Sequence, residues 1–223
     1  MHRCEEDCIN RRYETCETGI INMLSNEGWK KLLRIVENDK AIHIQKLIVP
    51  NSPSGPFLQK IHQLFETVIY ANYREPVFQL PEGNTIREIV IMSAIGLKAF
   101  TAGPNTHLEI LNVQQCTMDR VPQTLPKMVG MTLLSITMCM LSVLRLDMFV
   151  ENENLTFLDV SYNQIRQIIP ATIRSGKTIS IEKLVLSGNR LEHLDMGIFA
   201  SMAKLVTLYI MENRLTHIGV TVP

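Results

Sequence analysis

One segment pattern recurs along this chain, and it constrains the fold more than any other feature. It is clearest in three stretches near the C-terminus: LTFLDVSYNQIRQI from Leu155, IEKLVLSGNRLEHL from Ile181 and LVTLYIMENRLTHI from Leu205. Each stretch has apolar residues at positions 1, 4, 6, 11 and 14 and an asparagine at position 9. Such self-similarity predicts a repeat architecture, in which each unit buries its apolar side chains against its neighbours.

The same pattern continues upstream with a less regular position 9. Copies begin at Leu108 and Met131 and carry a cysteine at position 9, whereas weaker copies begin at Ile44, Phe65 and Ile86. Successive starts are separated by 21, 21, 22, 23, 24, 26 and 24 residues. We therefore predict eight units, of which the first three are irregular because they lack the asparagine at position 9.

The residue types of the pattern have a physical explanation. Positions 4 and 6 lie on the same side of a short strand and point into one core. Position 9 turns the chain inside the coil, where an asparagine hydrogen-bonds backbone groups of neighbouring coils that would otherwise be unpaired. The residues of this predicted structural ladder are Cys116, Cys139, Asn163, Asn189 and Asn213.

The two cysteines of the ladder could be reduced or oxidised. We expect Cys116 and Cys139 to be free, buried thiols, since cysteine behaves as a small apolar residue in a protein core. Their identical repeat positions place them about one strand spacing, ~5 Å, apart, and this also permits a disulfide.

These segments resemble the leucine-rich-repeat family over residues 44–218. The stretches LDVSYNQI, LVLSGNRLEHLDMGIFASMAKL and LYIMENRLTHI are most similar to extracellular members, in particular insect Toll ectodomains and the secreted mosquito immune proteins of this fold. The resemblance implies an α/β solenoid, or horseshoe, with a parallel sheet on the concave face and an irregular or short-helical convex side. It also implies a cysteine-containing N-terminal cap and recognition without catalysis or a cofactor. Some mosquito members bind complement-like proteins, and some pair through coiled-coil tails.

The chain departs from the family pattern near both ends. The proline-rich segment NSPSGPF, from Asn51 to Phe57, replaces the usual end of the first unit. No cysteine cap and no coiled-coil tail follow Ile218, so we expect the last coil to expose an apolar edge. Truncation would explain this edge, and so would a homodimer formed through it. A spare cysteine is a second possible route to a homodimer, through an intermolecular bridge.

The first cysteines precede the repeats. Cys4, Cys8 and Cys16 are disulfide candidates, which suits an oxidised cap. The alternatives are free thiols or a metal site completed by His2 or His43, since such a site usually needs four ligands.

We predict a cap over residues 1–43 and a repeat domain over residues 44–223. The cap contains a segment whose apolar residues have helical spacing from Asn26 onward: Trp29, Leu32, Leu33 and Val36. This segment is predicted to be a helix that covers the first coil, with partner binding as the alternative role.

Composition and motifs argue against several classes of function. The 22 basic and 22 acidic residues balance, so no net charge attracts nucleic acid or an anionic membrane surface. No window approaches the ~20 apolar residues that a membrane span needs. Metal-binding, phosphate-binding and nucleophile motifs are missing, and His193 and His217, both at position 13, are predicted to be surface residues. We therefore predict that the chain is not an enzyme.

The compartment has weaker signals. The first ten residues are polar and do not resemble a signal peptide, so we expect a cytoplasmic protein or a mature, trimmed chain. Asn154, in the triplet Asn-Leu-Thr, is a candidate glycosylation site at the turn entering a strand. The extracellular type of the repeats favours secretion, with a signal peptide already removed, over the cytoplasmic alternative.

The side chains opposite the core are predicted to form the binding surface. Positions 3, 5 and 7 of each unit face away from the core on the concave side. Many of these residues are apolar, and exposed apolar patches usually mark interaction sites. The predicted partner-binding residues are Ile48, Ile69, Val90, Met92, Ile110, Leu133, Phe157, Tyr209 and Met211, of which the last two form a separate spot. The alternative is that loops or the N-terminal segment cover them.

The leading hypothesis is a secreted protein-recognition module of the innate-immune type, which binds another protein, such as a complement-like factor, through its concave face or edge. An intracellular scaffold or regulatory subunit is the first alternative. A receptor domain for a small apolar ligand, with Leu133 and Phe157 as walls of its site, is the second.

Overall fold

The structure is a computed structural model that describes residues 7–12, 14–49, 55–105, 107–172 and 177–221. Cys4 and His2 lie outside the described residues, and so does the first part of the predicted proline-rich loop. Within the described ranges, no helix is long and apolar enough to cross a lipid bilayer.

The described chain consists of short strands joined by turns and a few short helices. In chain order the strands are β1 (Asn10–Arg12), β2 (Thr15–Asn22), β3 (Ala41–Ile48), β4 (Thr67–Tyr70), β5 (Val77–Leu80), β6 (Glu88–Ile91), β7 (Ala99–Ala102), β8 (Ile110–Gln114), β9 (Leu133–Thr137), β10 (Val143–Arg145), β11 (Phe157–Asp159), β12 (Gln167–Ile169), β13 (Lys183–Val185), β14 (His193–Asp195), β15 (Thr207–Tyr209) and β16 (His217–Gly219). The α-helices are α1 (Asn26–Val36) and α2 (Gly55–His62), and turns of 3-10 helix span Leu125–Lys127, Leu146–Phe149 and Met196–Phe199.

One long sheet contains most of these strands, in the order β1-β2-β3-β4-β6-β8-β9-β11-β13-β15. β1 and β2 are antiparallel, and every later pair in this sheet is parallel. Shorter parallel pairs, β5–β7, β10–β12 and β14–β16, lie across the core with α2 and the 3-10 turns. The predicted α/β leucine-rich-repeat solenoid is therefore confirmed.

From the second unit onward, the strand register agrees with the predicted repeat. Position 4 of each unit pairs with position 4 of the next, and these residues stack through the core. They are Val68, Ile89, Leu111, Leu134, Leu158, Leu184 and Leu208. All but the last are fully buried. Removal of this apolar surface from water, at about 25 cal/mol per Å², is the main force that holds successive coils together.

The first unit begins five residues earlier than the start predicted at Ile44. Ile42, and not Leu47, pairs with Val68, while Ile44 occupies position 6. The segment AIHIQKLIV contains two alternating apolar pairs, so the sequence pattern allowed either register. The structure buries Ile42 and Ile44 and leaves Leu47 partly exposed beside Ile21 of β2. The predicted start of this unit is therefore wrong.

The parallel sheet also begins earlier than predicted, inside the segment assigned to the cap. β2 pairs in register with β3, and Cys16 and Thr18 thereby occupy the core positions of an additional coil. This coil was not predicted, because a cysteine and a threonine stand where the repeat pattern requires apolar residues. The division of the chain at residue 43 stays a prediction.

Helix α1 confirms the helix predicted in the cap segment. Ser25 caps its first turn, because its side chain accepts a hydrogen bond from the backbone N–H of Gly28. Leu32 and Ile35 are buried, whereas Leu33 is 40% exposed although the predicted apolar face included it. The face that packs on β2 is therefore centred on Leu32 and Ile35.

Aromatic residues fill the coils that lack an asparagine at position 9. The rings of Phe78 and Phe100 stack with their centroids 5.2 Å apart, and Tyr70 meets Phe78 edge-on. Tyr73 occupies position 9 itself, and its hydroxyl donates a hydrogen bond to the carbonyl of Val77 (3.0 Å). The early coils thus satisfy a backbone carbonyl with a tyrosine instead of an asparagine.

The last described coil exposes apolar side chains, as predicted. Val206 is 83% exposed, Ile218 54% and Val220 70%. The residues equivalent to Ile218 in earlier coils, Leu194, Ile168 and Leu144, are buried, because another coil packs on each of them.

Candidate functional site

Two rows of side chains define the concave face, because paired strands place equivalent residues side by side. Row 3, from β4 to β15, contains Thr67, Glu88, Ile110, Leu133, Phe157, Lys183 and Thr207. Row 5 contains Ile69, Val90, Asn112, Ser135, Asp159, Val185 and Tyr209. The position-7 residues that follow form a third row, row 7.

Five of the predicted residues come together in one continuous surface, which we call the apolar band. Ile69 and Val90 are neighbours in row 5, and Ile110, Leu133 and Phe157 are consecutive in row 3. The two runs meet where β6 pairs with β8, since Ile110 there lies diagonal to Val90. All five side chains are half-buried. The apolar band therefore stays accessible across five adjacent strands.

Ile48 does not belong to the apolar band. The corrected register of β3 places His43 beside Ile69. Ile48 lies five residues further along the strand, where it pairs with Asn22 of β2. Its predicted position on the concave face is therefore wrong, and the reason is the displaced start of the first unit.

A cluster of polar residues on β2 and β3 adjoins the end of the apolar band at Ile69. Glu17 and His43 are neighbours in row 5, and Nε2 of Gln45 donates a hydrogen bond to Oε1 of Glu17 over 3.0 Å. This hydrogen bond, together with the nearby imidazole, holds the pKa of Glu17 below its ordinary value. Glu17, His43 and Gln45 line a depression of about 380 Å³, and Met92, which was predicted to flank the apolar band, lines it too.

A lysine connects the apolar band to the spot at Tyr209 and Met211. Nζ of Lys183 lies 5.1 Å from the ring centroid of Phe157 and 5.2 Å from that of Tyr209, within the range of a cation–π contact. Tyr209 is 39% exposed and Met211 is 65% exposed. The predicted band and the separate spot thus form one surface with a positive charge between two rings. This link was not predicted, because a lysine on a strand is ordinarily taken for a solvated polar residue.

Short polar side chains lie beside the apolar band. Rows 5 and 7 of β8 to β11 contain Asn112, Gln114, Ser135, Thr137, Asp159 and Ser161. Several of them bond locally: Gln114 Nε2 donates to Asn112 Oδ1 over 3.2 Å, and the backbone N–H of Ser161 donates to Asp159 Oδ1 over 2.9 Å. These residues are short or internally bonded, so row 3 is the prominent contact surface of these strands.

The asparagines at position 9 bridge neighbouring coils as predicted. Nδ2 of Asn189 donates to the carbonyls of Val160 and Leu186, both over 2.9 Å, and its Oδ1 accepts from a backbone N–H of the preceding coil (3.0 Å). Asn163 and Asn213 make equivalent hydrogen bonds. The ladder satisfies backbone groups inside the solenoid and is not a binding site.

The two cysteines of the ladder are oxidised. Cys116 and Cys139 form a disulfide, with their Cα atoms 4.6 Å apart. The expectation of free thiols is therefore wrong. Equivalent positions in successive coils bring the two side chains within bonding reach, whereas the sequence pattern contains no information about their oxidation state.

The residue at position 8, directly before position 9, has a left-handed backbone, with φ between +49° and +69° in six consecutive units. These residues are Ser93, Gln115, Met138, Tyr162, Gly188 and Glu212. The reversal directs position 9 inward and position 8 outward, which leaves Met138 and Tyr162 each 50% exposed. Residue types from serine to glutamate occupy this position, so the pattern offers no signal for it.

The cap contains a second disulfide, between Cys8 and Cys16, with Cα atoms 5.4 Å apart. This confirms a disulfide among the predicted candidates; Cys4 lies outside the described residues. Asp39 lies close to both sulfur atoms and accepts a hydrogen bond from Arg11 over 2.8 Å. Because the two sulfur atoms are bonded to each other, they are not available as thiolate ligands for a metal.

A buried histidine that was not predicted lies among the aromatic residues. Nε2 of His62 is 2.8 Å from the hydroxyl of Tyr70, and its Nδ1 is 3.1 Å from Nδ2 of Asn84. Oδ1 of Asn84 accepts from the backbone N–H of Ile86, which turns Nδ2 toward the imidazole. Burial lowers the pKa of His62 to about 3 and raises that of Tyr70 well above its ordinary value. A neutral imidazole therefore belongs to the core and not to the concave face.

Other predicted residues lie on the outer surface. Asn154 is exposed, and its Nδ2 donates a hydrogen bond to the carbonyl of Val129 (3.0 Å). Its glycosylation stays a prediction. His193 and His217 pair between β14 and β16 and are both exposed, which confirms their predicted surface location.

Comparison with known sequences supports the repeat over the regular part of the chain. Family models described as leucine-rich repeats match residues 154–175 and 179–221. No curated protein sequence matches the chain significantly.

Several solved structures share the fold, among them mosquito leucine-rich-repeat immune proteins. The LRIM1/APL1C complex matches with a TM-score of 0.63 and 14% identity, over 86% of this chain and 33% of that chain. The leucine-rich-repeat domain of APL1B matches with a TM-score of 0.61 and 14% identity, over 89% and 54% of the two chains. The APL1 leucine-rich-repeat domain matches with a TM-score of 0.57 and 16% identity, over 82% of this chain and 45% of that chain. The chain thus spans between a third and about half of these proteins, and the likeness shows a shared fold.

Proposed function

Since the chain has leucine-rich repeats in its sequence and the leucine-rich-repeat fold in its structure, we propose that it is a secreted protein-recognition module of the innate-immune type. The observation that carries this proposal is the apolar band from Ile69 to Phe157 on the open concave sheet. A sheet face in contact with water is ordinarily polar on that side. A continuous row of half-buried aliphatic and aromatic side chains there is best explained by contact with a partner.

The chemistry of the surface suits a protein partner. Contact would remove apolar side chains from water, which is the main driving force of protein association. Phe157 and Tyr209 are aromatic anchors of the kind that dominate binding energy when a partner covers them. Lys183 between the two rings adds a charge that would select for an acidic or carbonyl-rich surface. A complement-like factor, as the family resemblance suggests, is the partner class we propose.

Secretion is supported by the disulfides. Bridges at Cys8–Cys16 and Cys116–Cys139 persist in oxidising compartments and are rare in the cytosol. This favours an extracellular protein over the intracellular scaffold. Peptide mapping without reduction, on protein secreted from insect cells, should recover both cross-linked peptide pairs. Free thiols at all four positions in the secreted protein would contradict the proposed compartment.

The binding surface can be tested with a photo-reactive residue. Placed at Leu133, it should form an adduct with one protein of the source organism's extracellular fluid. The same residue at Ile95, which is 71% exposed and lies outside the concave rows, should not. Phe157→Asp should reduce the yield at Leu133 at least about tenfold, since it places a charge in the apolar contact. Ile95→Asp, the matched control, should leave the yield unchanged.

The outcomes separate the alternatives. The same adduct at Ile95, or an unchanged adduct yield with Phe157→Asp, would indicate that the partner binds elsewhere than on the concave face and would contradict the proposal. Circular dichroism of each variant checks that the solenoid is intact.

A further inference from the structure

A line of arginines follows the edge of the last three units. The backbone N–H of Arg190 donates to the carbonyl of Ile165, which directly precedes Arg166. In the same way, the N–H of Arg214 donates to the carbonyl of Leu191, which directly follows Arg190. Arg190 and Arg214 are therefore equivalent residues of successive coils, about 5 Å apart along the solenoid. Arg166 lies one coil earlier and two residues further along its unit, level with Glu192.

These three arginines have no acidic partner among the described residues. The contrast with other arginines of the described chain is clear, because many of those pair with a carboxylate. The paired arginines are Arg11, Arg34, Arg87, Arg120 and Arg145. Like charges held one coil apart repel each other, and an anionic ligand would relieve that repulsion.

The line borders a groove that is large enough for a ligand. Arg166 and Arg190 line a depression of about 490 Å³ together with His193. Arg190 is half-buried in the wall of this groove.

Two carboxylates also line the groove, and they differ in availability. Oδ1 of Asp195 already accepts hydrogen bonds from the backbone N–H groups of Gly197 (2.9 Å) and Thr221 (2.8 Å). These hydrogen bonds lower the pKa of Asp195. Glu192 is exposed, forms no ion pair among the described residues, and is the charge that would oppose an anion.

We infer that a linear sulfated polysaccharide binds along this groove, through Arg166 and Arg190 in its lining and through Arg214 in the next coil. The planar guanidinium donates two parallel hydrogen bonds to an oxyanion, and a sulfated chain offers such groups at successive positions along its length. The lining residues include no phenylalanine, tyrosine or tryptophan on which the bases of single-stranded nucleic acid would stack. The balanced overall charge also argues against non-specific attraction to a membrane or to DNA. This site lies outside the concave rows and does not depend on the proposed protein partner.

The test uses the purified, disulfide-intact chain and surface-immobilised heparin. We expect reversible binding that weakens as salt is raised, because the contact is between exposed charges. Replacing Arg166, Arg190 and Arg214 together by alanine should weaken binding at least about tenfold, since each loses charge-assisted hydrogen bonds. Glu192→Gln should strengthen binding, because it removes the opposing charge.

A matched control separates a specific site from general charge. The triple change Arg87→Ala, Arg120→Ala and Arg145→Ala removes the same number of positive charges from arginines that already have acidic partners. It should change heparin binding less than about twofold. Equal loss in the two triple variants, or no loss in the groove variant, would overturn the inference.

Soluble competitors identify the ligand class. Heparin should displace the chain from the surface, whereas desulfated heparin, a single-stranded oligonucleotide and vesicles containing phosphatidylserine should not. Equal competition by the oligonucleotide or by the vesicles would overturn the assignment to a sulfated polysaccharide. Thermal unfolding of each variant confirms that the substitutions leave the fold intact.

Discussion

Acidification should destabilise this protein through His62. Its imidazole is fully enclosed and neutral, and burial lowers its pKa to about 3, while a histidine in the unfolded chain titrates at 6.5. Between these two values the unfolded chain binds a proton that the folded chain does not. The stability that this site contributes is therefore complete above pH 6.5 and is lost progressively as the pH falls toward 3.

The magnitude follows from the two pKa values. At about pH 4.5 the unfolded histidine is two pH units below its pKa, which corresponds to a loss of about 3 kcal/mol. That is a large fraction of the 5–15 kcal/mol or so that stabilises a typical domain. Carboxylates with lowered pKa values, such as Asp7 beside Arg34, also lose stability in acid. A control must therefore hold their contribution constant.

His62→Gln supplies that control, since glutamine keeps a donor and an acceptor but does not titrate. Urea unfolding of both proteins, from about pH 7.5 to about pH 4.5, gives the free energy of unfolding at each pH. The wild type should lose about 3 kcal/mol more than the variant over this range. Parallel curves for the two proteins would refute the reasoning, because they would show that His62 is free to protonate in the folded state.

Three further predictions concern the repeat itself. Asn189→Ala should lower the free energy of unfolding by about 3–5 kcal/mol in urea titrations, because it leaves several buried backbone groups without partners; a loss below about 1 kcal/mol would contradict the ladder's role. Replacing Cys116 and Cys139 by serine should lower the free energy of unfolding by about 3 kcal/mol, since the bridge spans 23 residues. Thermal unfolding should show a lower Tm than that of the wild type. Dithiothreitol should lower the Tm of the variant less than that of the wild type, because the variant lacks this bridge. Gly188→Ala should destabilise by about 1–2 kcal/mol, because its φ is +69° and the new Cβ would lie 2.5 Å from the Tyr162 ring. The loss should shrink in a Tyr162→Ala background, and an equal loss in both backgrounds would show that the ring contact is unimportant.

The regular units were predictable because their signals are local and repeated. Alternating apolar residues around Leu158 and Leu184 determine which side of each strand faces the core, and Asn163 and Asn189 identify the turn that follows. Each unit supports the assignment of the next, so an error in one would have conflicted with the others. The five residues of the apolar band followed from the same alternation.

The N-terminal region was less predictable because its sequence permits more than one local solution. Ile42 and Ile44 compete with Leu47 and Val49 for the core of β3, and no asparagine marks the turn. The displacement moved Ile48 out of the concave row. In β2 the core position of Thr18 is polar, so no periodic signal was visible there.

Several features of the candidate site depend on contacts between residues remote in sequence. Lys183 reads as a solvent-exposed charge, and only the positions of Phe157 and Tyr209 on adjacent strands place it between two rings. His62 and its partner Asn84 are separated by 22 residues, and nothing in their local sequences connects them.

The amino-acid sequence by itself determined the repeat length, the core positions, the ladder and the parallel sheet, because these follow from periodic burial of apolar side chains along one chain. The tertiary structure decided the register of β3, the bonding of Cys116 to Cys139 and the placement of Arg166 and Arg190 in the lining of one groove. Each of these depends on side-chain contacts across coils. The repeat places Cys116 and Cys139 about one strand spacing apart but does not determine whether they bond. The repeat pattern therefore predicted where a binding surface would lie, and packing between coils determined which side chains it presents.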